Sequence, residues 1–244
     1  MNAAKQRSYT VRNKLFPLLI LICLSLAATA QRKALKNNPK YDRKPLHFGF
    51  SIGINYYDFK LQNIADLSAD LPGYYNVRSS TAPGYSIHII SNLRLSDHWD
   101  FRFNPGFTST VRSLEFDVVN RFTERRETVS RDIESSFLEF PFHFKFKSDR
   151  VGNYRLHLIG GPKYAIDLAS DENVVDDRVF KIKSNNISYE IGFGTDIYFE
   201  YFKFSPQIIA NFGINNIRVE DDTFLAAGLE SIQTRAILIN FTFE

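Results

Sequence analysis

The sequence predicts an all-β fold: an eight-stranded antiparallel transmembrane β-barrel of the outer membrane of a Gram-negative bacterium. Three observations predict it. An export signal opens the chain, apolar and polar residues alternate in eight separate stretches, and the connections between them are alternately short and long.

The signal comes first. "MNAAKQRSYTVRNK" carries Lys5, Arg7, Arg12 and Lys14 and no acid, "LFPLLILICLSLA" is apolar, and "ATA" ends at Ala30. A basic region, a short apolar core and a small-x-small site predict a cleaved signal peptide over residues 1–30, with Gln31 as the mature start. The apolar run is shorter than the ~20 residues that a spanning helix needs. Ile22 before Cys23 argues against a lipidated cysteine. Cys23 is the chain's single cysteine, so cleavage leaves no thiol or disulfide chemistry. The 30 basic and 27 acidic residues become 26 and 27 once those four cations leave, a net of −1 over 244 − 30 = 214 residues. Nothing in that balance points to nucleic acid.

Residues 31–45, "QRKALKNNPKYDRKP", are polar and basic and read as a flexible periplasmic tail, either a docking arm or a solubilising linker. Residues 46–244 carry the barrel. "LHFGFSIGINYY" sets Phe48, Phe50, Ile52 and Ile54 against Gly49, Ser51, Gly53 and Asn55. "GYSIHIISNLRL" follows, and then "WDFRFNPGF", where Pro105 predicts a bulge. "LEFPFHFKFK" places Leu138, Phe140, Phe142, Phe144 and Phe146 opposite Glu139, His143, Lys145 and Lys147. "YRLHLIGGPKYAIDL", "ISYEIGFGTDIYF", "FKFSPQIIANFGI" and "TRAILINFTFE" complete the eight. Short turns are predicted near 96–98, 148–153 and 200–201. Long polar loops are predicted near 58–83, 112–133, 169–186 and 215–231. Outer-membrane barrels keep short turns on the periplasmic side, and an even strand count brings both termini there.

Eight strands also build soluble barrels, with the apolar set inside and the polar set in water. The composition of the two faces decides against that. The apolar set is bulky, whereas Gly49, Gly53, Gly192 and Gly194 in the other set suit a crowded lumen. Aromatic residues such as Tyr56, Tyr57, Tyr85, Trp99, Tyr154 and Phe199 gather at strand ends, as interfacial girdles do. The polar set can also neutralise itself. About the 96–98 turn, Arg94 faces Asp100 and Asn92 faces Arg102, and Glu139, Lys145, Arg155, Glu190, Asp196 and Lys203 can join the same lumenal network. The Phe ladder therefore faces lipid. Side chains fill the interior of such a barrel, so function belongs to its loops, tail or outer wall.

Catalytic residues are expected to be none. Ser51, Ser205 and the histidines show no triad spacing. His143 and His157, read as opposite each other about a hairpin centred near Arg150, could hold a metal with His47, but no ligand-spaced motif accompanies them. The acidic loop clusters "DENVVDD" and "VEDD" lack the alternation of a calcium loop. No cofactor is expected.

"YDRKPLHFGFSIGINYYDF", residues 41–59, resembles the opening of the PorT family of outer-membrane proteins. The resemblance rests on Asp42, Lys44, Pro45, His47, Phe48, Gly49, Phe50, Gly53, Asn55, Asp58 and Phe59. "FLEFPFHFKFK", "LIGGPKY" and "IGFGTDIYF" resemble the wider barrel superfamily. The PorT resemblance implies a non-enzymatic accessory role in the type IX secretion system. That role would serve export and maturation of proteins with C-terminal signals, and gliding in motile relatives. The implied partners are outer-membrane lipids, other type IX components and secreted cargo, with the motif as a docking element. A small porin or an OmpA/OmpX-like binding barrel is the alternative.

Overall fold

The computed structural model describes residues 37–64, 74–119, 125–170, 181–219 and 228–244. The predicted signal peptide and residues 31–36 of the tail lie outside them. Ten strands are present among the described residues: β1 (Leu46–Asn63), β2 (Tyr74–Thr81), β3 (Pro83–Arg94), β4 (Trp99–Phe103), β5 (Gly106–Val119), β6 (Arg126–Lys147), β7 (Tyr154–Asp167), β8 (Asn185–Tyr198), β9 (Lys203–Gly213) and β10 (Leu229–Phe243).

Ten strands make eight staves. β2 and β3 both pair with β5, end to end, and β4 and β5 both pair with β6. The ladder then closes, because β1 pairs with β10 on one side and with β3 on the other. Every pairing is antiparallel and closure leaves no edge in this band, which is what lipid requires of a strand. No helix among the described residues is long and apolar enough to cross a membrane.

Pro105 does not create the predicted bulge. Ser91 pairs with Phe103 and His88 with Gly106, so the register runs through unshifted. The missing N–H only interrupts the ladder, while the Pro105 carbonyl still accepts from Ile89 at 2.9 Å. The bulge lies elsewhere. Thr81 pairs with Arg112 but Tyr85 pairs with Ser109, a slip of one residue across Ala82–Gly84.

The alternation places its two sets as the sequence predicts. Phe48, Phe50, Ile52, Ile87, Ile89, Phe144, Leu156, Leu158, Ile191 and Phe193 are exposed on the outer wall. Ser51, Asn55, His88, Arg102, Glu139, Lys145, Glu190 and Asp196 are buried inside. A Cβ on Gly53 would collide with the Asn240 side chain, and one on Gly194 would come within 2.7 Å of the His157 ring. The lumen is filled to its walls at these positions.

Two of the predicted polar loops are largely sheet. β1 runs to Asn63, and β5 and β6 stay paired from Gly106↔Glu139 up to Val119↔Arg126. Polarity inverts along these strands while the side-chain parity holds. On β1, Ile52, Ile54 and Tyr56 point outward and are followed on the same face by Asp58 and Lys60. On the inner face Ser51, Gly53 and Asn55 give way to Tyr57 and Phe59, each 1% exposed. On β5 the inner series changes from Thr108 and Thr110 to Leu114, Phe116 and Val118. A water-soluble core of Phe59, Tyr74, Leu114, Phe116, Ile133, Leu229 and Ile232 thus caps the long-loop end. Outward groups there meet water, so they are polar, and reading them as loops mistook a change of medium for a loss of structure.

Candidate functional site

The site with the most assembled chemistry runs from the short-turn mouth of the barrel into its lumen. At the mouth, Asn37–Pro45 is folded back under the staves rather than free, which corrects the flexible-tail expectation over those residues. A single 3₁₀ turn, Tyr41–Arg43, aims two side chains inward. The Tyr41 ring stacks on His47 at 4.3 Å, and its hydroxyl donates to Glu244 at 3.2 Å. Burial and the Glu244 carboxylate push the Tyr41 phenol well above its ordinary pKa, so it stays a neutral donor. Asp42 accepts from the Tyr198 hydroxyl at 2.7 Å and lies 3.5 Å from Arg155 and 3.8 Å from Arg150. Arg150 stacks over the Tyr198 ring at 3.6 Å and donates to the Asn37 carbonyl. Lys40, Arg43 and Lys44 remain exposed on the outer side of this plug.

Above the plug the lumenal charges pair in two tiers. In the lower tier Lys145 lies 2.7 and 2.8 Å from the oxygens of Asp196, and Ser205 donates to Asp196 at 2.6 Å. Lys147 meets Asp100 at 2.5 Å, Lys203 meets Glu244 at 2.8 Å, and Arg102 pairs with Glu244. In the upper tier Lys163 bridges Glu139 at 3.0 Å and Glu190 at 2.7 Å. His88 and Thr108 donate to Glu139 at 3.0 and 2.9 Å, Tyr57 donates to it at 2.6 Å, and His143 donates to Glu190 at 2.8 Å. Every carboxylate here has a cation beside it, as burial demands.

Arg112 is set above this network. Its guanidinium sits 4.1 Å from the Phe59 ring centroid and 5.4 Å from that of Phe137, and donates to Ser135 at 2.5 Å. Nothing in the sequence singled it out, because a polar residue there reads as loop. Lys147, Lys163, His88 and Tyr57 also belong to the network, and their inward parity was the signal that could have found them.

The geometry corrects several expectations. Arg94 does face Asp100 in register and Asn92 does bond Arg102, at 2.7 Å. The Arg94 side chain nevertheless leaves the lumen and pairs with Asp97 in the turn, because the strand has reached the rim. Arg155 ties the mouth, donating to the Ser148 and Asp97 carbonyls at 2.6 Å each. The β6–β7 hairpin pairs Lys147 with His157, so its centre is Gly152, where φ is 61°, and not Arg150. His143 therefore bonds Glu190 and His157 lies 3.1 Å from Asp196, one tier apart, while His47 turns to the Tyr41 carbonyl at 2.7 Å. The three imidazoles do not converge, and the described residues contain no cluster of three potential metal ligands. Ser205, Asp196 and His157 do meet, but the hydroxyl is bonded to the carboxylate and not to the imidazole, an order that does not activate a nucleophile.

The opening motif does not form one patch. Asp42 and His47 hold the plug, and the Pro45 carbonyl accepts from Arg94 at 2.8 Å. Phe48 and Phe50 face lipid, and Gly49, Gly53 and Asn55 line the interior. Asp58 holds Arg235, and Phe59 lies in the cap beneath Arg112.

A family model described as an outer membrane protein beta-barrel domain matches residues 29–218. Three solved structures are similar at low identity. Neisserial surface protein A is 10% identical with a TM-score of 0.43, covering 82% of this chain and 97% of that one. The N-terminal β-barrel domain of Pseudomonas aeruginosa OprF is 13% identical with a TM-score of 0.35, covering 79% and 97%. The outer membrane protein OprG of P. aeruginosa is 10% identical with a TM-score of 0.39, covering 80% and 95%. None of the curated proteins compared matches. With a closed ladder, an apolar outer wall and a model match over most of its length, the chain belongs to the outer membrane protein beta-barrel domain family.

Proposed function

We propose that this outer-membrane barrel is a non-enzymatic accessory component of the type IX secretion system, serving export and maturation of proteins with C-terminal signals. In this reading the short-turn mouth and both termini are periplasmic, and the partners are other type IX components and their cargo. The observation that carries it is the packed N-terminal segment. The stretch that resembles the PorT family opening, from Tyr41 to Phe50, is a built element that seals the mouth and displays Lys40, Arg43 and Lys44 outward. An obstructed lumen also fits an accessory part better than a conduit, since the paired charges and the apolar cap fill it from end to end.

The test is deletion of the gene in its host. Proteins with C-terminal export signals should accumulate in the periplasm as unprocessed precursors, and normal export would overturn the reading. A second reading, an OmpA/OmpX-like binding barrel, draws on the cap, which stiffens the strands beyond the membrane into a presentable surface. It predicts intact export on deletion. A small porin predicts single-channel conductance from the purified barrel in planar bilayers.

A further inference from the structure

The outer wall carries a groove where the two media meet. It has a volume of about 420 Å³ and lies across β1, β10 and β9, with Tyr56, Ile237 and Phe212 as walls. The ladder explains it. Tyr56, Ile237 and Ala210 stand side by side in one outward row, and Ala210 is the small member that leaves the dip.

Asp58, Arg235 and Phe212 form the next row toward the long-loop end. Asp58 holds Arg235 at 2.9 Å through Nε and 2.5 Å through Nη2, and is itself held by the Ser79 hydroxyl at 2.5 Å. Nη1 of Arg235 has no partner among the described residues. Lys60 stands on the same face of β1, diagonal to Arg235 because it pairs with Gln233, and it is exposed with no partner among the described residues. The Asp58 carboxylate is taken up by Arg235, so Lys60 stands over the apolar trough without a carboxylate bonded to it among the described residues. The trough suits an acyl chain, and the uncompensated charge above it suits a phosphate.

We propose that this groove binds a phosphate-bearing, acylated glycolipid of the outer leaflet, of the lipid A type, with one acyl chain along Ala210 and a phosphate at Arg235 and Lys60. The leaflet rests on the reading that the long-loop end faces outward. Asp58 acts as a positioning residue: it fixes the guanidinium in the plane of the wall and leaves one edge open.

The experiment is native mass spectrometry of the folded barrel in nonionic detergent, titrated with lipid A, with dephosphorylated lipid A and with phosphatidylglycerol. Lipid A should bind best. Lys60→Gln should weaken its affinity about five-fold, the effect of one cation at an anionic lipid surface. Ala210→Phe, which fills the trough from the lipid side, should do at least as much, while Lys44→Gln at the other end of the barrel should do nothing. Unchanged heat-modifiable gel mobility certifies that each variant is folded. Equal binding by wild type and both groove variants overturns the site. Phosphatidylglycerol binding that matches lipid A and is lost in the variants overturns the glycolipid. The leaflet is tested separately: Cys introduced by Glu134→Cys should react with an impermeant maleimide on intact cells. Failure to label would overturn the outer-leaflet assignment whatever the lipid titration shows.

Discussion

The ammonium of Lys145 and the carboxylate of Asp196 meet at 2.7 and 2.8 Å inside the barrel, with both side chains fully buried. Asp196 also takes the Ser205 hydroxyl and lies beside His157, so one carboxylate organises three staves. Removing it leaves the buried Lys145 amine without its carboxylate. Asp196→Asn should lower unfolding stability by about 3–5 kcal/mol, while Lys145→Met with Asp196→Leu should lose much less. Urea unfolding of the refolded barrel in detergent, followed by gel mobility, measures both.

The Phe ladder predicts a gradient of a different kind. Phe142 stacks on Phe103 at 4.8 Å near the middle of the wall, whereas Phe146 lies beside Trp99 at the short-turn rim. Phe142→Arg should cost about 2–4 kcal/mol and slow assembly. Phe146→Arg should cost less, because its cation can reach the headgroups. Asp132→Arg, outward on the same strand but beyond the lipid, should assemble as the wild type does. Equal assembly of all three would mean that the ladder does not face lipid.

Beyond the membrane the sensitive face is the inner one. Phe116 is fully buried and meets the Tyr74 ring edge-on at 6.2 Å. Phe116→Ala should cost about 3–5 kcal/mol. Its outward neighbour Glu115→Ala should cost under about 0.5 kcal/mol, as ordinary surface changes do. The same unfolding assay compares them.

Arg112 is buried with no carboxylate bonded to it among the described residues, held by two rings and a hydroxyl. Its burial costs solvation that its contacts return only in part. Arg112→Met keeps most of the volume and should leave stability unchanged or raise it by about 1–4 kcal/mol. Arg112→Ala should lower it, because it opens a cavity.

Asp42 holds the plug through Tyr198, Arg150 and Arg155. Asp42→Ala should loosen Asn37–Pro45 without opening the barrel. Limited trypsin should then cleave after Lys40 and Arg43 much faster than in the wild type, while heat-modifiable mobility is kept. Unchanged cleavage would mean that stacking of Tyr41 on His47 suffices to hold the segment.

The registers about the 96–98 turn were legible because a short hairpin leaves little freedom: Arg94 had to oppose Asp100, and Asn92 Arg102. The 148–153 turn was not, since Gly152 in a left-handed conformation moves the centre two residues along and carries His157 away from His143. The plug was hidden for another reason. Asp42 and Tyr41 find their partners more than 150 residues away in sequence, at Tyr198 and Glu244.

Alternation is a local property, written into each strand by the two-residue period of its side chains. The sequence alone therefore determined that eight staves exist, which residues share a face, and which face of each central segment is apolar. It did not determine which medium a face meets at a given height. Tyr56 and Tyr57 are adjacent and alike, yet one ends the lipid-facing row and the other donates to Glu139 in the lumen. Only closure of the ladder sets the level at which lipid gives way to water, because that level is fixed by neighbouring strands and not by the strand itself. That level decides why Asp58 and Phe116 lie on paired strands, and why Arg112, polar and apparently in a loop, is buried between two rings.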